Sequence, residues 1–263
     1  VEVIPVPDVL SGEYNNLQTA DSQYAQNVQD AVKNQEGGSI FIAESMLGCG
    51  GQVLFPDGFL QESFQYVRAA GGICISDEIQ VGLGRVGTHY WGFELQNIVP
   101  DIFTIGKPLG NGHPIAAVIT TTEIANTFNN GMEYFNSFGG NPVSSAIGLS
   151  VLNVIEKEKL QQNALDVGNY LLSELNLLKE KFELIGDVRG TGLFIGVELV
   201  KDLKTQEPAS EKAKVITNKM KEMGILLSTD GSHNNVLKIK PPMVFTIENA
   251  QLVIDSLERL FPK

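Results

Sequence analysis

The chain has 263 residues, 43% of them hydrophobic, and its 31 acidic against 19 basic side chains leave a formal charge of −12. That length and composition suffice to bury the core of one large domain, or of a large and a small one. The acidic balance excludes nucleic acid and anionic membrane as partners, because both recruit Lys and Arg, and an anionic substrate would need a locally positive pocket. No apolar run reaches the roughly 18 residues of a transmembrane helix. The opening VEVIPVPDVLSGEY lacks the basic end of a signal peptide and begins without Met, as expected of a chain that starts in the middle of something. Cys49 and Cys74 make no disulfide framework, and a reducing cytosol is the simpler reading.

In chain order, residues 1–20 read as a short strand and a proline-rich loop, and SQYAQNVQDAVKN has helical spacing. SIFIAES is a strand ending near Glu44, and FLQESFQYVRAAGG is an amphipathic helix closed by glycine. ICIS is the next strand, with Cys74 as a small buried hydrophobe. DIFTIG and PIAAVITT read as two more strands, and EIANTFNN as a short helix. A long helical region follows through VSSAIGLSVLNVIEKEKL and LDVGNYLLSELNLLKEKF, interrupted near Glu156 to Gln161. LIGDVRG, LFIGVELV, GILLST and NVLKIK then read as strands of a small sheet, with EKAKVITNKMKEM and IENAQLVIDSLERLF as its helices. The alternation of strand and helix predicts an α/β fold with a largely parallel sheet flanked by helices, over residues 1–157. A small α+β domain is expected over 158–263.

Chemistry concentrates between residues 73 and 113. Asp77-Glu78 stands at the tip of one apolar run and Lys107 at the tip of the next, and the carboxyl ends of strands in an α/β sheet are where ligands sit. An amine and a carboxylate placed so suit pyridoxal phosphate, whose aldehyde takes a lysine and whose ring nitrogen takes an anion. A partly desolvated Lys107 amine would be the better nucleophile and base. Gly82-Leu83-Gly84-Arg85-Val86-Gly87 matches G-x-G-x-x-G, but no helical spacing follows it and the dinucleotide reading fails on context. No grouping of His, Cys and acids has metal-ligand spacing. His113 reads as a loop hydrogen-bonder and Arg189 as a structural group, with a role toward a substrate anion as its alternative.

Three segments carry a resemblance: Asp77-Glu78-Ile79-Gln80-Val81-Gly82-Leu83-Gly84-Arg85-Val86-Gly87, Gly106-Lys107-Pro108-Leu109-Gly110-Asn111-Gly112 and Phe138-Gly139-Gly140-Asn141-Pro142. They resemble the signature blocks of class-III aminotransferases, pyridoxal-phosphate enzymes of fold type I. GMEYFN, VRGTGLFIGVELVKD and NVLKIKPPM bring the chain nearest the ethanolamine-phosphate and phosphohydroxylysine phospho-lyase branch. The resemblance implies that Lys107 binds the cofactor covalently and moves the substrate's Cα proton, and that Asp77 holds the ring nitrogen protonated. It implies that Gln80 bonds the phenolic oxygen, Ile79 lies against the ring face, Glu78 braces the loop, and Ser137 reaches the phosphate across a homodimer interface. Glu44 and Lys238 are expected at the substrate end. Lys238 stands where amino-acid-specific members carry an arginine, and a point charge suits a carboxylate less well than a planar fork. The family's earlier cofactor-phosphate and ring-stacking segments have no counterpart here, which implies the C-terminal part of a longer enzyme. The expected activity is amino transfer from an amine or amino acid to a keto acid or aldehyde. Elimination of phosphate and ammonia from a phosphorylated amine, and a non-catalytic dimerising remnant, stand as alternatives.

Overall fold

A computed structural model describes residues 1–10, 12–15, 18–33, 35 and 38–261. It divides into two compact units. The first comprises the described residues of Val1–Ser45, Pro56–Leu83 and Trp91–Glu158; the second comprises Met46–Phe55, Gly84–Tyr90 and the described residues from Lys159 onward.

The first unit is built on a four-stranded sheet of order β1-β2-β3-β4, with β1 at Ile40–Glu44, β2 at Ile73–Asp77, β3 at Ile102–Ile105 and β4 at Ala117–Thr120. Neighbours β1 to β3 run parallel, whereas β4 is antiparallel to β3, so the sheet is mixed. Connection length decides this. A parallel pair needs a crossover of a dozen or more residues, while the short link after β3 holds only a 3₁₀ turn, Lys107–Gly110, and a loop. Helices α1 (Ala20–Lys33) and α2 (Phe59–Ala69) pack against each other, and Tyr24 meets Phe59 edge-on with ring centroids 6.5 Å apart. The helix read over SQYAQNVQDAVKN is α1; position 34, its last residue, lies outside the described residues. Gly71, at φ +76°, closes α2 in a conformation that glycine alone takes without strain. α3 (Thr122–Phe128) and α4 (Pro142–Lys157) complete this unit.

The strand expected at the start of the chain does not form among the described residues before α1. Pro5 and Pro7 each remove a backbone donor, and Val1 and Val3 stand exposed instead of meeting a neighbour.

The second unit carries an antiparallel sheet of order β5-β6-β8-β7, from β5 (Ile185–Thr191), β6 (Phe194–Leu199), β7 (Ser228–Asp230) and β8 (Val236–Ile239). Helix α5 (Leu160–Lys181) presents Ala164, Val167, Leu171, Leu175 and Leu178, a three-and-four spacing that makes one apolar face. That face, with α6 (Ser210–Glu222) and α7 (Ile247–Leu260), closes over Ile195, Val197 and Leu237 of the sheet. The break expected near Glu156 to Gln161 falls at Glu158–Lys159, where Lys159 has φ +54°. Among the described residues no helix is long and apolar enough to cross a membrane.

Two measurements check this packing. Leu171 is fully buried, so Leu171→Ala should cost about 2–5 kcal/mol in denaturant unfolding of the second unit, by lost burial and an unfilled cavity. Cys74 is buried in β2 and its thiol is pushed up to about 12 by burial, whereas Cys49 is exposed. A thiol reagent at pH near 8 should therefore modify Cys49 alone in the native protein and both after unfolding; prompt modification of both would contradict the fold around β2.

Candidate active site

Register brings the site groups to one level of the first sheet. Glu44, the last residue of β1, stands opposite Asp77, the last of β2, and Asp77 stands opposite Thr104 of β3. Paired residues of parallel strands send side chains to the same face, so the two carboxylates share a face and an end. Lys107 follows three residues beyond Thr104, past Gly106 at the tip of the third strand. All three therefore emerge at the carboxyl ends of neighbouring parallel strands, the usual seat of a ligand in an α/β sheet.

Local geometry aims each group. The Asp77 Oδ1 accepts the Ile79 N–H at 3.0 Å, a turn that holds the carboxylate over the loop beyond its strand. Gln80 Nε2 donates to Glu44 Oε2 at 3.4 Å, joining the outer strand to this loop. Ile79 lies against the Gly106 turn, where a Cβ on Gly106 would come within 3.7 Å of its side chain. Lys107 opens the 3₁₀ turn with φ +30°, a left-handed conformation costly for a lysine, and such strain is often stored where a side chain must be directed. Its side chain is exposed.

Ser137 stands exposed in the turn before α4. The adjacent amides are already engaged, since Asn136 Oδ1 accepts the N–H groups of Phe138 and Gly139, each at 3.0 Å. Asn141 caps α4 by accepting from Val143 and Ser144. His113 Nε2 lies 2.8 Å from Ser144 Oγ, tying the loop after Lys107 to α4 as a loop hydrogen-bonder. Lys238 belongs to the second unit, where its ammonium meets Asp230 at 2.7 Å, and Asp230 also accepts from Gln52 Nε2 at 2.8 Å. Arg189, in that same unit, binds Glu198 at 2.6 Å, Asp187 at 3.3 Å and the Gly51 carbonyl at 2.9 Å, a structural set of contacts. The Gly82–Gly87 run leads to the 3₁₀ segment Gly92–Gln96 and opens no α-helix, so it is not a dinucleotide fingerprint. Among the described residues no group of His, Cys, Asp and Glu could hold a metal ion.

Glu78 is the group whose place the sequence understated. It is 1% exposed and accepts four hydrogen bonds, from Ser45 Oγ at 2.5 Å, Ser76 Oγ at 3.0 Å, Gly92 N at 2.5 Å and Phe93 N at 3.0 Å. Burial pushes its carboxyl above the ordinary range, and the four donors oppose that shift. The signal was the alternation Ser76, Asp77, Glu78, which sends the serine and glutamate to the face opposite Asp77.

The donor set fits pyridoxal phosphate: an exposed amine for the aldehyde, a neighbouring carboxylate for the ring nitrogen, and an amide able to bond the phenolic oxygen. Comparison with known proteins agrees. The profile of the family described as aminotransferase class-III matches residues 1–261. The alanine–glyoxylate aminotransferase 2-like protein of Drosophila melanogaster is 52% identical over 95% of this chain and 53% of its own length. The ethanolamine-phosphate phospho-lyase homolog 1 of Caenorhabditis elegans is 40% identical over 99% of this chain and 59% of its own length. Among solved structures, a phospholyase from Arthrobacter in complex with phosphoethanolamine superposes with a TM-score of 0.93 at 37% identity, covering 99% of this chain and 63% of that one. The chain thus spans somewhat over half the length of the curated relatives it matches. With this extent of matching, the chain belongs to the class-III aminotransferase family.

Proposed function

We propose that this chain carries the pyridoxal-phosphate site of an aminotransferase that moves an amino group from an amine or amino acid to a keto acid or aldehyde. The observation that carries the reading is the placement of Asp77 and Lys107 at the ends of adjacent parallel strands. When bound, the cofactor supplies a cationic heteroaromatic ring that takes up the electron pair released as the substrate's Cα–H bond breaks. Lys107 Nζ would hold the cofactor through its aldehyde and, when released from it, would take the substrate's Cα proton and return it. Asp77 would keep the ring nitrogen protonated by holding negative charge beside it. Gln80 would orient the phenolic oxygen, and Ile79 would hold the ring face and exclude water from it. In this reading residues 1–157 are the C-terminal portion of the large cofactor-binding domain and 158–263 the small one.

A second copy of the chain would complete the site. Phe128, Met132, Tyr134, Phe135 and Phe138 are all at least 65% exposed, an apolar run that brackets Ser137 and fits a homodimer interface. Ser137 would reach the partner's cofactor phosphate from there. A chain with only two cysteines fits a reducing cytosol, although the Arabidopsis and human relatives bear mitochondrial in their names.

The phospho-lyase reading has its own support. Lys238 stands in place of the arginine that suits a carboxylate, and relatives named for phosphoethanolamine chemistry cover nearly the whole chain. Glu44 and Lys238 are the substrate-facing groups we assign; the Asp230 contact means that Lys238 must exchange one anion for another to bind substrate. On a substrate carrying phosphate at the β carbon, the electron pair left by the same Lys107 removal of the Cα proton would expel that group as the Cα–Cβ double bond forms; a phosphate at the γ carbon would leave only after a further proton is taken from the β carbon.

Pyridoxal phosphate added to the protein should produce a visible absorption band that Lys107→Ala lacks; absence of a band in the parent would favour the non-catalytic remnant. Asp77→Asn should lower turnover by roughly 10²–10³-fold, the scale of losing one preorganised electrostatic partner. Phosphoethanolamine and phosphohydroxylysine separate the two chemistries: stoichiometric inorganic phosphate and ammonia mean elimination, whereas conversion of an added keto acid to an amino acid means transfer.

A further inference from the structure

We propose that Glu78 is a positioning residue for Asp77: its buried carboxylate pins the backbone on both sides of Asp77 and so fixes the direction in which that acid leaves its strand. This rests on the cofactor reading of Asp77 given above.

The argument begins with alternation. Asp77 projects to one face of β2, and its neighbours Ser76 and Glu78 project to the other, where Ser76 Oγ meets Glu78 Oε1 at 3.0 Å. That bond straddles Asp77 and ties together the residues on either side of it. A further bond anchors the pair: Ser45 Oγ donates to Glu78 at 2.5 Å and lies 2.8 Å from Ser76 Oγ, a polar contact between two hydroxyls whose protons both point to the carboxylate, and this holds the end of β1 just past Glu44. The Gly92 and Phe93 amides grip Glu78 from a third segment. The backbone is held as well, by Glu78 N–H on the Thr104 carbonyl at 3.0 Å and Gly82 N–H on the Glu78 carbonyl at 3.0 Å. One side chain therefore links β1, β2 and the Gly92–Phe93 turn.

Against this, the Asp77 side chain accepts one hydrogen bond among the described residues, from the Ile79 amide. The orientation of its carboxylate is set chiefly by where its own backbone is held.

Chemistry requires a carboxylate in that place. Oε1 takes three donors and Oε2 takes the Gly92 amide, so all four contacts need acceptors. Glutamine has one acceptor oxygen, and its amide nitrogen would face a donor wherever it pointed. Among the described residues no cation pairs with Glu78, so the acid stays buried on neutral donors alone, an arrangement costly unless every bond is made.

A double-mutant cycle on cofactor affinity tests this. Apo-protein is titrated with pyridoxal phosphate for the parent, Glu78→Gln, Asp77→Asn and the double variant, with apo melting recorded for each. Glu78→Gln should weaken binding about tenfold, the scale on which residues that orient a ligating side chain act. It should also move the pH dependence of the bound cofactor's visible band in the direction in which Asp77→Asn moves it. Placed on Asp77→Asn, the same change should alter affinity by less than about twofold, because it acts through a group already lost. Equal losses in both backgrounds, or an unmoved band, overturn the positioning role and leave Glu78 as a packing group. Should Glu78→Gln fail to fold, Ser76→Ala, which removes the straddling bond and the Ser45 Oγ contact but leaves the carboxylate, enters the same cycle with the same expected non-additivity. A parent without a visible band overturns the cofactor reading and this role with it, while a parent with a band and additive losses overturns this role alone.

Discussion

Parallel hydrogen bonding between β1, β2 and β3 is the constraint on which the site depends. Its register sets Glu44 opposite Asp77 and Asp77 opposite Thr104, so groups separated by tens of residues in the chain arrive at one edge. A slip of a single residue would send Asp77 to the opposite face and bring Ser76 or Glu78 in its place. The apolar character of the strands alone is a weak guard against such a slip, because apolar residues stand on both sides: Ile40 and Ile42 of β1 are exposed while Cys74 of β2 is buried. The polar knot of Ser45, Ser76 and Glu78 does forbid it, since shifting any of the three leaves buried donors or acceptors unpaired.

The knot thus serves register and direction together. A buried carboxylate is an expensive way to fasten three segments, and burial does raise its proton affinity. What it offers in return is specificity. Four donors from three segments fit one acceptor geometry, where apolar contacts would tolerate several. The second unit uses the same logic around Arg189, whose guanidinium is shared between Asp187, Glu198 and the Gly51 carbonyl, and around Asp230, which serves both Lys238 and Gln52. In each unit, charged groups with several partners mark where loops from distant parts of the sequence must meet strands.

Polar contacts also bear on how the family's signature residues are to be read. Ser137 sits in a turn whose neighbouring amides are spent on Asn136, which leaves its hydroxyl as the group able to meet an anion. Lys238 comes with its own counter-ion, so any anion it receives competes with Asp230. Lys107, by contrast, is exposed on a turn whose positive φ turns it away from the strand path.

Element types were legible in the residues themselves. Period-two and apolar runs located β1, β2, β3, β5 and β6, three-and-four spacing located α2, α5 and α7, and a glycine pair marked the end of α2, because these signals depend on neighbours within a few positions. The motif segments likewise pointed to Asp77, Lys107 and Gln80 as one set. Hidden from the sequence were the antiparallel direction of β4, the absence of a strand near Pro5 and Pro7, the joining of Met46–Phe55 and Gly84–Tyr90 to the second unit, and the four-donor seat of Glu78. Each of these is settled by a partner far away along the chain. A strand needs another strand's free edge, and a buried acid needs donors from three segments, so local spacing fixed what each stretch could become while tertiary contact chose its neighbour.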